Sequence, residues 1–328
     1  MPVGRFLLRL VDVLPVPSLR TQRLVAAAVV LSQGGIAVTG AIVRVTASGL
    51  GCPTWPQCFP GSFVPVPHAE VAVVHQVVEF GNRMITFLVV LTAALAVLAV
   101  TRARRRREVL VYAWLMPAST IVQAVIGGIT VLTGLLWWTV AIHLVASMTM
   151  VWLAVQLYYK VGEPDEGVAP TPPVASLAPS PVVPKPLRQL TALTAVVLAA
   201  QLVSGTLVTG AGPHAGDKSA EQPVPRLQIE ITTLVHLHTS LLIAYLSLIV
   251  GLGFALYAVR APKPVVLRLW VLLALVCAQG TVGTVQFFTG VPAALVAVHV
   301  AGAAACTAAT AALWASMRER AEPEPVEG

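Results

Sequence analysis

The chain has 328 residues, 57% of them hydrophobic and only 11% charged, with a formal net charge of +7 and a mean hydropathy of +0.83. That balance excludes a soluble globular domain and points to a polytopic membrane protein. The positive charge gathers at span ends, where it orients helices, so it implies lipid contact and no nucleic acid.

Residues 1–22 read as a cytoplasmic, interfacial N-terminal segment; Arg9 and Asp12 interrupt its short apolar stretch and argue against a cleaved signal peptide. Stretches able to cross about 30 Å of hydrocarbon follow near 23–43, 71–100, 109–133, 138–159, 188–210, 228–258, 266–288 and 292–316. The expected fold is therefore all-α, with eight transmembrane helices. The spans at 71–100 and 228–258 exceed what a bilayer needs, so they should tilt or project. With the N-terminus inside, 17 of the 21 Lys and Arg residues fall on the cytoplasmic side, leaving Arg44, Arg83, Lys218 and Arg226 for the outer half. The positive-inside rule then places both termini in the cytoplasm of a cell-membrane protein. The Arg102–Arg107 run reads as a juxtamembrane anchor.

The first outer loop, 44–70, contains Gly51-Cys52-Pro53-Thr54-Trp55-Pro56-Gln57-Cys58. Two nearby cysteines on an oxidising face can close a small disulfide loop; a metal site is disfavoured without a second pair. Cys277 and Cys306 read as small buried hydrophobes.

The second span carries the densest polar cluster: His75, Glu79, Asn82 and Arg83. At about 100° per residue, His75, Glu79 and Asn82 share one stripe. Glu79 and Arg83 form an acid-before-base i,i+4 pair, whose bland role is self-neutralisation. Ionisable groups this deep mark function by default.

Residues 160–187 hold eight prolines and read as an extended cytoplasmic linker between halves 23–159 and 188–316; the tail 317–328 reads as disordered. The halves are related. Gln123, Gly127, Thr133, Gly134 and His143 recur as Gln279, Gly283, Thr289, Gly290 and His299, each 156 positions on (279 − 123 = 156). An even number of spans per half makes the repeat parallel, with its axis along the membrane normal. The same offset sets Asn82 against His238 and leaves His75 without a counterpart.

His75, His143, His238 and His299 all lie in the outer halves of even-numbered spans. Facing histidines in a bundle are a common way to hold a haem iron. His238 and His299 form such a set. His143 faces Asn82 instead, with His75 about 10 Å higher on the helix. A lone intramembrane histidine more simply bonds a neighbouring helix, the role expected for His236. His68 and His214 fall in outer loops.

The Cys52–Cys58 loop, the Glu79-Phe80-Gly81-Asn82-Arg83 segment and the histidine pattern together resemble the haem A synthase family, over about residues 23–316. The resemblance implies oxidation of a ring methyl of haem O to a formyl group, giving haem A for the terminal oxidase. The first half would hold substrate haem O and the second a haem b. His238 and His299 would ligate haem b, His143 would face the substrate iron, and Glu79 would be the catalytic carboxylate. Arg83, with Arg44 and Arg226, would meet haem propionates. Cys52–Cys58 would be a disulfide of mainly structural role or a redox relay. Haem O synthase, oxidase assembly factors and an electron donor are the implied partners. The sequence departs from the family at Asn82, where many members have His, so either His143 holds the substrate iron alone or His75 serves as ligand to a shallower haem. On the Glu79 stripe and otherwise unpartnered, His75 reads as a site residue whose loss should abolish haem A formation. Competing classes are a cytochrome b-type electron carrier, indifferent to Glu79, a haem-free transporter, and a thiol–disulfide partner.

Overall fold

The computed structural model describes residues 11–165, 180–218 and 223–319. The first ten residues of the predicted N-terminal segment, the middle of the proline-rich linker and the tail beyond 319 lie outside the described residues. Eight long helices follow one another: α1 (Leu19–Val45), α2 (Val73–Arg102), α3 (Arg107–Leu132), α4 (Trp137–Gly162), α5 (Lys185–Ala211), α6 (Ile231–Ala258), α7 (Lys263–Phe288) and α8 (Ala293–Ser316). Each has 24 to 30 residues and an apolar window, enough at 1.5 Å per residue to cross the hydrocarbon. The chain is a multi-pass, all-α membrane protein.

Local chemistry sets the helix ends. Ser18 caps α1 by accepting from the Thr21 amide at 3.1 Å. Prolines stand in the first turns of α5 and α7, where no intrahelical N–H is required. Pro117 lies inside α3. In its turn, Ser119 and Thr120 both donate to the Met116 carbonyl.

The turns repeat a backbone device. Left-handed φ angles occur at Arg104 (54°), Gly134 (65°) and Leu135 (60°), and again 156 positions later at Arg260 (53°), Gly290 (78°) and Val291 (58°). Each turn closes with an amide reaching back five residues: Leu135 to the Thr130 carbonyl and Val291 to that of Gln286 at the α3–α4 and α7–α8 turns, Arg105 to Val100 and Ala261 to Leu256 at α2–α3 and α6–α7.

Two apolar clusters form the interior. One joins Ala26, Val29, Ala93, Ala96, Val109, Ala113, Met116, Ala154 and Leu157 from α1–α4. The other joins Leu198, Tyr245, Ile249, Leu252, Leu269, Leu272 and Leu313 from α5–α8. The alanines let helix backbones approach closely, as lipid-embedded packing favours. Between the clusters α1, α4, α5 and α8 meet along a seam of Ala37, Met148 and Ala304, where Gln156 donates to the Ala311 carbonyl at 3.0 Å.

At the end of the bundle away from the cysteine loop, the arginine run is bound by the protein itself. Arg105, 7% exposed, donates to Gln22 Oε1 and the Val161 and Glu163 carbonyls, and pairs with Asp165. Arg106 pairs with Glu163 and Asp165, and Arg104 with Asp12 at 2.8 Å. Ser180–Pro181 (β1) and Arg318–Glu319 (β2) form a two-residue antiparallel ladder on the same side.

Candidate functional site

His75, Glu79, His143, His238 and His299 all lie in the parts of their helices nearest the cysteine-loop end. In the second half His238 of α6 faces His299 of α8, their ring centroids 6.3 Å apart. Two imidazoles binding one metal from opposite sides, each nitrogen about 2 Å from it and each centroid about 1 Å further, need about 6 Å. The spacing fits a shared axial metal. Glycines make room for both rings: a Cβ at Gly205 would come 3.1 Å from His238 Cε1, and one at Gly283 would come 3.1 Å from His299 Cε1.

The hydrogen bonds assign the tautomer of His238. Ser204 Oγ lies 2.8 Å from the Gln201 carbonyl and 2.8 Å from His238 Nδ1. The single hydroxyl proton goes to the carbonyl, so Ser204 accepts from Nδ1–H and Nε2 keeps its lone pair. That is the nitrogen a metal would take. In this structure the Gln201 amide donates to it at 3.1 Å. His299 is backed by Gln279, which donates to its carbonyl at 2.5 Å, while its Nδ1 is buried without a partner among the described residues.

The first half places His143 on α4 against Gly127, whose Cβ would lie 3.4 Å from His143 Cε1. Its Nδ1 is likewise buried and unpartnered. On α2 the position equivalent to His238 is Asn82, whose Oδ1 accepts from Thr39 of α1 at 2.6 Å. His75 sits in the first turn of α2, with Nδ1 2.9 Å from Ser48 Oγ. Among the ring contacts of the described residues, His75 and His143 do not form a pair like that of His238 and His299.

Glu79 is 5% exposed and both its oxygens are engaged. Oε2 accepts from the Cys52 amide at 2.6 Å and Oε1 from Arg83 at 2.8 Å. Arg83 Nη2 shares its two N–H groups among Glu79 and the carbonyls of Cys52 and Thr54, at 2.9 and 3.0 Å, and Nη1 donates to the Gln57 carbonyl at 3.1 Å. The pair therefore clasps the cysteine loop, with Cys52 held at both its amide and its carbonyl. Cys52 and Cys58 are joined as a disulfide, S–S 2.02 Å, and are fully buried with Phe59 beside them. Trp55 from the same loop lies against Gly128 of α3, where a Cβ would meet its ring at 2.5 Å. Gly51 backs onto the His75 carbonyl, where a Cβ would come within 2.1 Å.

Arg44 and Arg226 converge on one carbonyl, donating to Thr209 at 3.2 and 2.9 Å. Arg44 also reaches the His214 carbonyl, and Arg226 that of Gly212. Arg226 Nη1 is buried without a partner among the described residues, and burial lowers its guanidinium from its ordinary pKa. The loops at the cysteine-loop end of the two halves interlock here: the Gly49 amide donates to Gly216 at 2.7 Å, and His214 Nε2 lies 2.8 Å from the Val291 carbonyl. His236 is exposed on α6, and His68 stacks on Phe59 at 5.1 Å. Cys306 is buried, but Cys277 is exposed on the helix surface, not buried as expected.

No group of three or more His, Cys, Asp or Glu side chains gathers among the described residues. The buried donors are an imidazole pair and a single imidazole, a set that suits axial ligation of a macrocycle-bound iron. Thr39, Ser48, Gln201 and Ser204, which hold the site's side chains, were not anticipated.

Over 101 residues the chain is 31% identical to a heme A synthase of Geobacillus thermodenitrificans, and 32% to one of Geobacillus kaustophilus (strain HTA426), covering 30% of each chain. It is 28% identical over 107 residues to a heme A synthase of Lysinibacillus sphaericus (strain C3-41), covering 33% of this chain and 34% of that protein. Each match thus spans about a third of the curated relative. A family model described as COX15-CtaA, cytochrome oxidase assembly protein, matches residues 23–223, well over half of the chain. On that match, the chain belongs to the COX15-CtaA family of cytochrome oxidase assembly proteins.

Proposed function

We propose that the protein is a haem A synthase that oxidises a ring methyl of haem O to a formyl group. The observation that carries this is the His238–His299 pair at 6.3 Å, matched in the first half by His143 in the same glycine-lined setting, while the buried carboxylate of that half is Glu79 on α2. The two clusters and the backbone turns recurring at a spacing of 156 support two parallel four-helix halves. In the second half His238 and His299 would hold haem b. In the first, His143 would hold substrate haem O.

Haem b supplies one-electron transfer when bound. The chain's own residues do the rest. Ser204 orients His238 through Nδ1, and Gln279 steadies α8 at His299. Converting the methyl to a formyl group with water as the oxygen source releases four protons and four electrons; Glu79 is the carboxylate that would take up a proton, and the electrons would leave by way of haem b. Arg83 fixes the Glu79 rotamer and closes the cysteine loop over the site, with Trp55 as its apolar plug. Arg44 and Arg226 receive carboxylates of the second haem; Arg226 Nη1 is the donor left for them. His75, tied to Ser48, borders the first site. The arginine-rich distribution favours both termini in the cytoplasm and the cysteine loop outside.

The test is to supply membranes with haem O, with and without the protein, and extract the pigments. The formyl haem should appear only with the intact protein. Unchanged haem O beside normally bound haem b would overturn the reading. It would favour an electron carrier, a role to which the second half's complete imidazole pair is already suited. Glu79→Gln separates the two, being silent in a carrier.

A further inference from the structure

The two halves hold their α2 and α6 residues by the same device, and the difference between them is informative. In the second half Ser204 touches His238 and donates to the carbonyl three residues back, that of Gln201. In the first, Thr39 touches Asn82 and contacts the carbonyl three residues back, that of Ile36. Thr39 and Ser204 are thus equivalent, and Asn82 stands where His238 stands. The glycine after each hydroxyl residue reports the space. A Cβ at Gly205 would meet the His238 ring at 3.1 Å, whereas one at Gly40 meets nothing within 4 Å. Where the second half has an imidazole, the first has room.

The amide orientation follows from distance. Thr39 Oγ1 to Asn82 at 2.6 Å suits O–H···O and is short for N–H···O. The longer contact to Ile36, 3.1 Å, leaves the proton on the Asn82 side. Oδ1 therefore accepts, and Nδ2 has no acceptor among the described residues. An asparagine amide is no haem ligand, and His75 is bonded to Ser48 in the turn above.

We propose that the first-half haem is held by His143 alone, leaving an open axial position that faces Asn82. The Asn82 Nδ2–H group is the hydrogen-bond donor for a diatomic or anionic ligand bound there. This rests on the first half being a haem site, and deepens that reading by making the iron accessible on one face.

The test uses the full-length protein in nanodiscs, loaded with haem, with spin state read by resonance Raman and EPR. Carbon monoxide and cyanide are the probes. Wild type should show one high-spin haem that binds carbon monoxide and is lost in His143→Ala. A second, low-spin and inert haem should be lost in His299→Ala. Asn82→His should turn the first haem low-spin and abolish its carbon monoxide binding. Asn82→Leu should keep it high-spin while weakening cyanide about tenfold, the loss of one hydrogen bond to a charged ligand. A first haem that is low-spin in wild type, and becomes high-spin in His75→Ala, would overturn the proposal and name His75 as the second ligand. Unchanged cyanide affinity in Asn82→Leu would remove the donor role. Absence of any His143-dependent haem, with the His299-dependent one present, would instead sink the first half as a haem site.

Discussion

Cys52 and Glu79 are joined by a hydrogen bond of 2.6 Å from the backbone amide of one to Oε2 of the other. The carboxylate is thus positioned by the path of the cysteine loop, and that path is closed by the bond from Cys52 to Cys58. Replacing Cys58 with Ser frees the loop. The chain-entropy contribution of so short a loop is about 2 kcal/mol, so the thermal midpoint should fall by several degrees. Activity should fall further than stability, by tenfold or more, because the Cys52 amide no longer holds Glu79. Haem b absorbance should be unchanged, since its proposed ligands, His238 and His299, lie on α6 and α8. A variant with normal turnover would show that the loop does not position the carboxylate.

Arg83 is the second hold on that loop. Its guanidinium spans Glu79 and three carbonyls, a fan that an ammonium cannot reproduce. Arg83→Met leaves a buried carboxylate without its partner, at a cost of about 3 kcal/mol. Arg83→Lys keeps the charge and loses the carbonyl fan. Limited proteolysis between residues 53 and 64 should therefore accelerate in both variants, while thermal melting should separate them, Met below Lys.

The arginine also marks where sequence reasoning stops. The eight spans were legible because a bilayer demands length and apolarity, and both are local properties. The relation between His143 and His299 was legible because a fixed offset needs no coordinates. The targets of Arg83 were not. A guanidinium expected to meet a haem carboxylate is committed here to loop carbonyls, and which carbonyls face it depends on how residues 52–57 turn back over α2. The same holds for Ser48 under His75 and for the shared Thr209 carbonyl between Arg44 and Arg226. Thr39 and Ser204 carried a signal, a hydroxyl followed by glycine in the first helix of each half. It lies outside the 156 register, because the loop after α1 is longer than the loop after α5. The arginine run, with its clamp on residues 161–165, was read as a lipid anchor because paired acids distant in sequence do not show in a charge count.

Ser204 gives a measurable handle on the second half. It accepts from His238 Nδ1–H and so fixes the tautomer that presents Nε2. Outer-shell partners of this kind typically contribute 10–100-fold to metal affinity. Ser204→Ala should raise the rate of haem b transfer to apomyoglobin by about tenfold and broaden the low-spin EPR signal. Ser204→Thr keeps the hydroxyl and should restore both. An unchanged transfer rate in the alanine variant would show that packing alone orients the ring.

The glycines provide a graded test of where the rings sit. A Cβ at Gly205 or Gly283 would lie 3.1 Å from an imidazole carbon, one at Gly127 would lie 3.4 Å from His143, and one at Gly35 would touch nothing within 4 Å. The two closest contacts are tighter than ordinary packing, and a retreating His238 ring would also lose its bond to Ser204. Gly205→Ala and Gly283→Ala should therefore each push an imidazole off its place and lower haem b occupancy several-fold in protein of normal yield. Gly127→Ala should leave haem b intact and weaken only the first-half haem, by a smaller factor. Gly35→Ala should match wild type in both. Absorbance per mole of protein, before and after the high-spin fraction is titrated with cyanide, measures each occupancy separately. An equal loss in all four variants would mean that the glycines serve helix packing and not the imidazoles.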